Sequence, residues 1–441
     1  MLVMKFGGTS VGSSEKLEKV AALVTEVGED RVVVLSAMSG VTNYLYEVAD
    51  KLEQGVDVEE AIKPLLTKFK DTIFSLNISN EQMESLWANV MARIDLIAKW
   101  VDEPNQKQAR QKIITFGETL SCMMMVGILQ HRGETVRYVP AINFMRLDMN
   151  NEPDYFYIQE RIEDEIAKEK ADIIITEGFV CRTYDGQIGN LERGGSDFTA
   201  SIIGRCLRVS EVQIWTDIDG MHNNDPRFVD KTFPIEHLSF EEAAELAYFG
   251  AKVLHPTCIL PVQMVNVPVR IKNTGDPAAK GTLISHRTQG KGIKAVAAKD
   301  GIHILKIKSF RMLMAYGFLE KVFNIFNKHR VPIDVITTSE VSISVTIDQL
   351  ENTEELLEDL SNLGEVSLTS GHSIICVVGD FIAGSKGHAN KIFSSLKNVP
   401  LRMISYGSSN HNVTLLIDTG YKKEALNALN IVCFEEVSMI C

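Results

Sequence analysis

No two cysteines in the 441-residue chain are spaced as C-x-x-C, and the seven present (Cys122, Cys181, Cys206, Cys258, Cys376, Cys433 and Cys441) are scattered and odd in number. That pattern argues against a disulfide framework and against a zinc site, and makes a reducing cytoplasm the expected setting. Free cysteines of this kind are packing residues more often than nucleophiles. No run of 18 apolar residues occurs, so no membrane span is expected. The opening MLVMKFGG has neither a basic first segment nor a long apolar stretch and does not read as a signal peptide. Basic residues are outnumbered, 45 Lys and Arg against 58 Asp and Glu, for a formal net charge of −13. Such a chain is a poor binder of nucleic acid or anionic membrane, and any anion it takes must be held by local positive groups. The phosphate-loop pattern G-x-x-x-x-G-K-[ST] is missing, and no Ser-His-Asp or Cys-His set is evident.

What is present is ordinary globular material. The chain is 45% hydrophobic, enough for a large core, and its length suits two to three domains. Short β-rich runs recur at 2–6, 31–36, 135–140, 172–179, 211–217 and 267–272. Helical patterns lie between them. Leu17, Val20, Ala21 and Val24 share one helical face, and SFEEAAELAYFG places Ser239 and Glu242 at capping-box spacing before Gly250. This alternation predicts an α/β domain with a mainly parallel sheet. Residues 44–130 read as a helical excursion on it. After a Gly-, Thr- and Lys-rich linker at 273–293, an internal repeat appears: 317–348 parallels 387–418. Each copy is a glycine, an amphipathic helix, a Val-Pro and two strands, preceded by another strand at 303–309 or 373–380. The pattern predicts two β-α-β-β units, and leaves open whether they bind a small molecule or only dimerise.

Four stretches carry chemistry. KFGGTS (5–10) ends a strand with two glycines before a helix start near Ser13 or Ser14, where backbone N–H groups and the helix dipole favour an anion. Lys5 precedes the glycines, so its ammonium reaches over the turn toward a crossing γ-phosphate. A purely structural Gly-Gly turn fits the same residues. RGGSDFTAS (193–201) is a second glycine-led helix start, with Asp197 to hold a lysine or a metal-bound phosphate and Arg193 to fork onto a carboxylate or phosphate. IWTDIDGMHNNDPR (214–227) brings Thr216 and Asp217 to a strand end, where sites in parallel sheets form, with Arg227 further on. FGETL (116–120) sets Glu118 at the head of an apolar helix, either as a helix-start charge or as the partner of a substrate ammonium. SAMSGVTN (36–43) adds Ser36 and Thr42, and GAKVLHP (250–256) adds Lys252 and His255, the latter read as structural.

Taken in order, KFGGTS, SAMSGVTN, FGETL, RGGSDFTA, WTDIDG, DPR, GAKVLHP and ITTSEVSIS resemble the monofunctional aspartate kinases, over residues 3 to about 418. The resemblance implies an amino-acid-kinase domain over 1–285 and a regulatory region over 293–441. That region would hold two ACT domains, approximately 305–369 and 370–441 plus the 293–304 strand, one inserted in the other. It implies phosphorylation of the side-chain carboxylate of L-aspartate by ATP with Mg²⁺, the entry to lysine, threonine and methionine synthesis. By position, Lys5 and Asp197 are catalytic. Lys5, Gly7, Gly8, Ser10, Thr216, Asp217, Arg227 and Lys252 belong to the ATP site, with His222, where many relatives carry tyrosine, set against the adenine. Ser36, Thr42, Glu118 and Arg193 belong to aspartate. The stretches SFRMLMAYGFLEKVF and YGSSNHN resemble lysine-sensitive members. They imply an effector site at Met312, Ala315, Gly317, Leu319, Asp334, Ser339 and Glu340, in a homodimer or larger assembly paired through the ACT domains. In the second copy Arg402 takes the place of Asp334, which makes that copy a packing partner. Two other readings are a related kinase acting on another carboxylate such as glutamate, and a non-catalytic amino-acid sensor.

Overall fold

The computed structural model describes the chain except residues 193, 251–253, 287–291, 314–315, 351–352, 381–383, 385 and 436–441. It divides into two compact units. The first comprises Met1–Met221, Glu236–Phe240 and Val253–Arg287; the second comprises His222–Ile235, Glu241–Lys252 and Thr288–Cys441.

In the first unit the chain runs β1 (Leu2–Phe6), α1 (Ser14–Thr25), β2 (Arg31–Leu35), then six helices: α2 (Val41–Glu53), α3 (Val58–Ile73), α4 (Asn80–Ile94), α5 (Leu96–Val101), α6 (Gln106–Ile114) and α7 (Phe116–His131). β3 (Val136–Tyr138), α8 (Tyr155–Ala167), β4 (Ile173–Glu177), a small hairpin of β5 (Val180–Arg182) and β6 (Ile188–Asn190), α9 (Gly195–Leu207) and β7 (Glu211–Thr216) follow. The eight-stranded sheet is completed by β8 (His237–Leu238), which precedes α10 (Phe240–Phe249) and α11 (Leu260–Gln263), and by β9 (Val269–Asn273) and β10 (Thr282–Ile284). Its spatial order is β3-β4-β2-β1-β7-β9-β10-β8, parallel throughout except between β9 and β10. β1, β2 and β4 are buried at every position, as strands covered on both faces must be. The helical excursion spans 41–131 and packs its apolar stripes with α1 and the sheet into one core around Phe6, Phe69 and Met124. α6 and α7 together are apolar enough to cross a membrane by composition, but 72% of their most apolar window is buried, as in a core helix.

The second unit holds a six-stranded antiparallel sheet in the order β12-β13-β11-β14-β16-β15. Its framework is two long strands, β11 (Gly292–Lys308) and β14 (Glu365–Asp380), paired along nearly their whole length with irregularities between Ile293 and Ala295 and between Lys299 and Ile304. At one end α12 (Phe318–Lys328), β12 (Ile336–Thr338), β13 (Ser342–Ile347) and α13 (Thr353–Ser361) close a core of Leu305, Phe318, Val322, Phe326 and Val345. At the other, α14 (His388–Ser395), β15 (Leu401–Tyr406), β16 (Asn412–Asp418) and α15 (Lys422–Asn430) close a second core of Val296, Val377, Ile392, Leu415 and Leu426. Each end carries the β-α-β-β order of the repeat, and both draw on the same two long strands.

The segments 222–235 and 241–252 group with the second unit because their polar groups bond there. The Asn223 and Asn224 side chains reach Asn430 and Leu426, and Asn223 accepts the Val296 N–H at 2.8 Å. Glu242, fully buried, pairs with Lys294 at 2.8 Å, so its carboxylate is committed to an ion pair in addition to its place near the start of α10.

Candidate active site

The carboxyl ends of β1, β2 and β4 open into a cavity of about 490 Å³. Lys5, Ser36, Thr42, Glu118 and Asp197 all line it, gathered from residues 5 to 197 of the sequence. A parallel sheet puts its ligand site at strand ends, which is why residues so far apart in sequence meet there.

Lys5 sits one residue from the end of β1. Its ammonium lies 2.6 Å from Asp197, and both side chains are nearly buried. The turn after β1 is tight by construction. A Cβ on Gly8 would stand 2.6 Å from the Ala37 carbonyl oxygen, and the Gly8 carbonyl accepts the Ser39 N–H at 3.0 Å. Gly8→Ala is therefore expected to cost about 1–3 kcal/mol by forced displacement of the strand-end loops. The result would be a lower melting temperature, with activity reduced further than the stability loss accounts for. Ser10 is buried, and its hydroxyl meets that of Thr274 at 2.8 Å; Thr274 in turn donates to the Thr216 carbonyl at 3.0 Å. This chain fixes the turn to the end of β7. Gly7, Ser10, Thr216 and Asp217 thus stand beside the cavity without being part of its wall, and Thr216 donates to Asp217 at 3.1 Å.

Asp197 rides on the first turn of α9. The helix begins through Gly194 in left-handed backbone, φ 71°, where a Cβ would meet His255 and Cys258 at 2.9 and 3.0 Å. His255 packs against this turn, and its Nδ1 lies 2.7 Å from the Thr257 hydroxyl. Two non-glycine residues on the cavity wall, Phe179 and Glu192, also hold positive φ, 69° and 55°. Such backbone costs about 1–3 kcal/mol and persists where the surroundings fix it.

Glu118 lies in the first turn of α7 and is 4% exposed. Its Oε2 has no hydrogen-bond partner, and burial pushes its carboxyl up to about 8 against the opposing pull of two backbone N–H groups, its own and that of Ala37. A buried carboxylate oxygen without a partner, on the wall of a cavity, is a seat for an incoming cation.

The other sequence candidates distribute as follows. Arg193, Lys252 and Ala315 lie outside the described residues. His222 and Arg227 belong to the second unit, where His222 Nδ1 lies 3.0 Å from the Thr232 hydroxyl and Arg227 forks onto Asp225 at 2.7–3.2 Å. Met312, Gly317, Leu319, Ser339 and Glu340 line one cavity of about 400 Å³ in the second unit, at the start of α12. Asp334 does not join them. Its carboxylate is buried and taken by Lys299 at 3.0 Å and by the Tyr248 hydroxyl. In the other half Arg402 forks onto Asp418 at 2.7–3.0 Å. Ser39, Asn43 and Ser196 line the first cavity as well, and lie within the SAMSGVTN and RGGSDFTA stretches.

The amino acid kinase family model matches residues 1–273, and an ACT domain model matches 375–431. The chain is 32% identical over 450 residues to the lysine-sensitive aspartokinase 3 of Escherichia coli K12, covering 99% of both chains. The crystal structure of E. coli aspartokinase III with aspartate and ADP (R-state) matches with TM-score 0.81 at 31% identity, over 98% of this chain and 100% of that one. The same enzyme with lysine and aspartate (T-state) matches with TM-score 0.78, over 98% and 99%. A chain matched along its whole length in sequence and in fold, with the ion pair and the acidic seat at the mouth of its sheet, belongs to the amino acid kinase family and, within it, to the aspartokinases.

Proposed function

We propose that this chain transfers the γ-phosphoryl group of ATP to the side-chain carboxylate of L-aspartate, giving 4-phospho-L-aspartate and ADP. The observation that carries the reading is the meeting of Lys5, Asp197 and the unpartnered Glu118 oxygen in one cavity. The acceptor carboxylate has a pKa near ~3.9 and is an anion at neutral pH, so the step needs no general base. It needs two anions brought into line and their charge absorbed. Lys5 meets the transferring phosphoryl, with Asp197 orienting its ammonium, and the Gly8–Thr9 backbone on the cavity wall takes the phosphates. Glu118 takes the substrate ammonium, Arg193 its α-carboxylate, and Ser36 and Thr42 the pocket walls. Thr216 and Asp217, at the end of β7, belong to the nucleotide side.

Mg²⁺ fits this donor set. Mg²⁺ is ordinarily held by one or two carboxylates plus substrate phosphates, and the Asp197 carboxylate stands on the wall of the cavity. Asp197 would be its protein neighbour, and the bound ion would neutralise phosphate charge.

The same proposal divides the chain into a catalytic part, 1–285, and a regulatory part, 293–441. Lysine binds the cavity at Met312–Glu340, with Glu340 facing its ammonium groups. Exposed Leu313 and Leu319 on the wall of that cavity, with exposed Tyr316 between them in sequence, suit burial against a second copy. The six described cysteines are buried free thiols, in keeping with a cytoplasmic setting. A hydroxamate assay tests the reading: product is expected with aspartate and ATP, none with glutamate, and less when millimolar lysine is added. Equal turnover with glutamate would reassign the substrate, and inhibition by threonine in place of lysine would reassign the effector.

A further inference from the structure

Behind Glu118 lies a second buried carboxylate to which the proposed reaction gives no role. Glu177, the last residue of β4, is 3% exposed. Its Oε2 accepts the Ala141 N–H at 2.7 Å, and its Oε1 accepts the hydroxyls of Thr119, at 3.0 Å, and of Tyr138. Three neutral donors converge on it from α7, from β3 and from the turn after β3. Thr119 is the neighbour of Glu118 in the first turn of α7.

We propose that Glu177 is a positioning residue for aspartate capture: through Thr119 it ties the first turn of α7 to the sheet. Its negative charge behind Glu118 makes the seat release a proton as the substrate ammonium enters. The inference rests on the reading of Glu118 as the ammonium's partner. Burial raises the Glu177 carboxyl as well, but its donors Tyr138, Ala141 and Thr119 pull against that rise, so it stays ionised more readily than a carboxylate with an unpartnered oxygen. Of the two, Glu118 is therefore the one left protonated in the empty site. Burial is the main reason it holds its proton, and Glu177 adds to it. The groups that face Glu118 are Glu177 from β4 and Cys122 from α7 itself; Tyr138 from β3 faces Glu177. Lys5 from β1, Asp197 from α9 and Glu192 share its cavity. When the ammonium arrives, the Glu118 O–H bond breaks, the proton leaves to solvent through the open cavity, and the carboxylate pairs with the cation.

The test is the pH dependence of kcat/KM for aspartate, which reports the free enzyme, set against that of kcat, which reports the complex. The unaltered enzyme is expected to gain kcat/KM as pH rises toward about 8, with a flatter kcat profile. Glu177→Gln keeps the shape and removes the charge. It is expected to move the kcat/KM limb down by roughly half a pH unit and to leave the kcat profile in place. Thr119→Val keeps the charge and cuts the tether; it is expected to raise KM for aspartate roughly threefold to tenfold with the limb unmoved. An unmoved limb in Glu177→Gln overturns the charge coupling, and an unchanged KM in Thr119→Val overturns the tether. If Glu177→Gln does not fold, a flat kcat/KM profile in the unaltered enzyme overturns the coupling in its place. If Glu118→Gln leaves KM for aspartate unchanged, the reading of Glu118 itself fails, which is a separate result.

Discussion

Lys5→Ala is expected to lower kcat by roughly 10²–10³-fold, the loss typical of removing one preorganised donor to developing charge. The physical reason is solvation. Lys5 and Asp197 are 11% and 14% exposed, so water cannot substitute for the ammonium when the phosphoryl oxygens gather charge. The substitution also leaves Asp197 without its partner in a nearly buried place, at a cost to stability of about 3 kcal/mol. The two effects separate in the double variant with Asp197→Asn. Its melting temperature should recover toward that of the parent while turnover stays low. Full activity in Lys5→Ala at saturating ATP and aspartate would remove Lys5 from the reaction.

Glu118→Gln is expected to raise KM for aspartate by roughly 10²-fold, the scale of one charge-assisted contact in a buried place. The amide fills the same space and presents an oxygen to an ammonium, but brings no charge. KM for ATP should change little, since the phosphate turn after β1 is built by other residues. Direct binding of aspartate without nucleotide, followed by calorimetry, checks the claim free of kinetic complications. Unchanged affinity would return Glu118 to the plain role of a helix-start charge.

Much of the first site was legible because each residue was announced by its immediate neighbours. Lys5 stands before two glycines at a strand end, Asp197 stands two residues after Gly195 at a helix start, and Glu118 interrupts an apolar helix. The parallel sheet then places strand ends together whatever their separation in sequence. Glu177 carried a signal that went unused: a carboxylate closing the apolar run DIIITEGF has to find donors, and its donors come from residues 119, 138 and 141. Thr274 gave no local hint of its bond to Ser10, 264 residues away. Residues from the SFRMLMAYGFLEKVF and TTSEVS stretches meet in one cavity because two short segments build most of it. Asp334 stands apart from that cavity for the opposite reason. Its partners, Lys299 and Tyr248, come from distant segments, and one fully engaged carboxylate looks like any other in a sequence.

The two strands Gly292–Lys308 and Glu365–Asp380 belong to both halves of the second unit at once. Neither half is a cassette that can be excised, transplanted or expressed alone, since removing one takes half the backbone pairing from the other. Both hydrophobic centres should melt together in a single transition. A nick anywhere in either long strand should undo both, whereas a cut elsewhere would spare the far side.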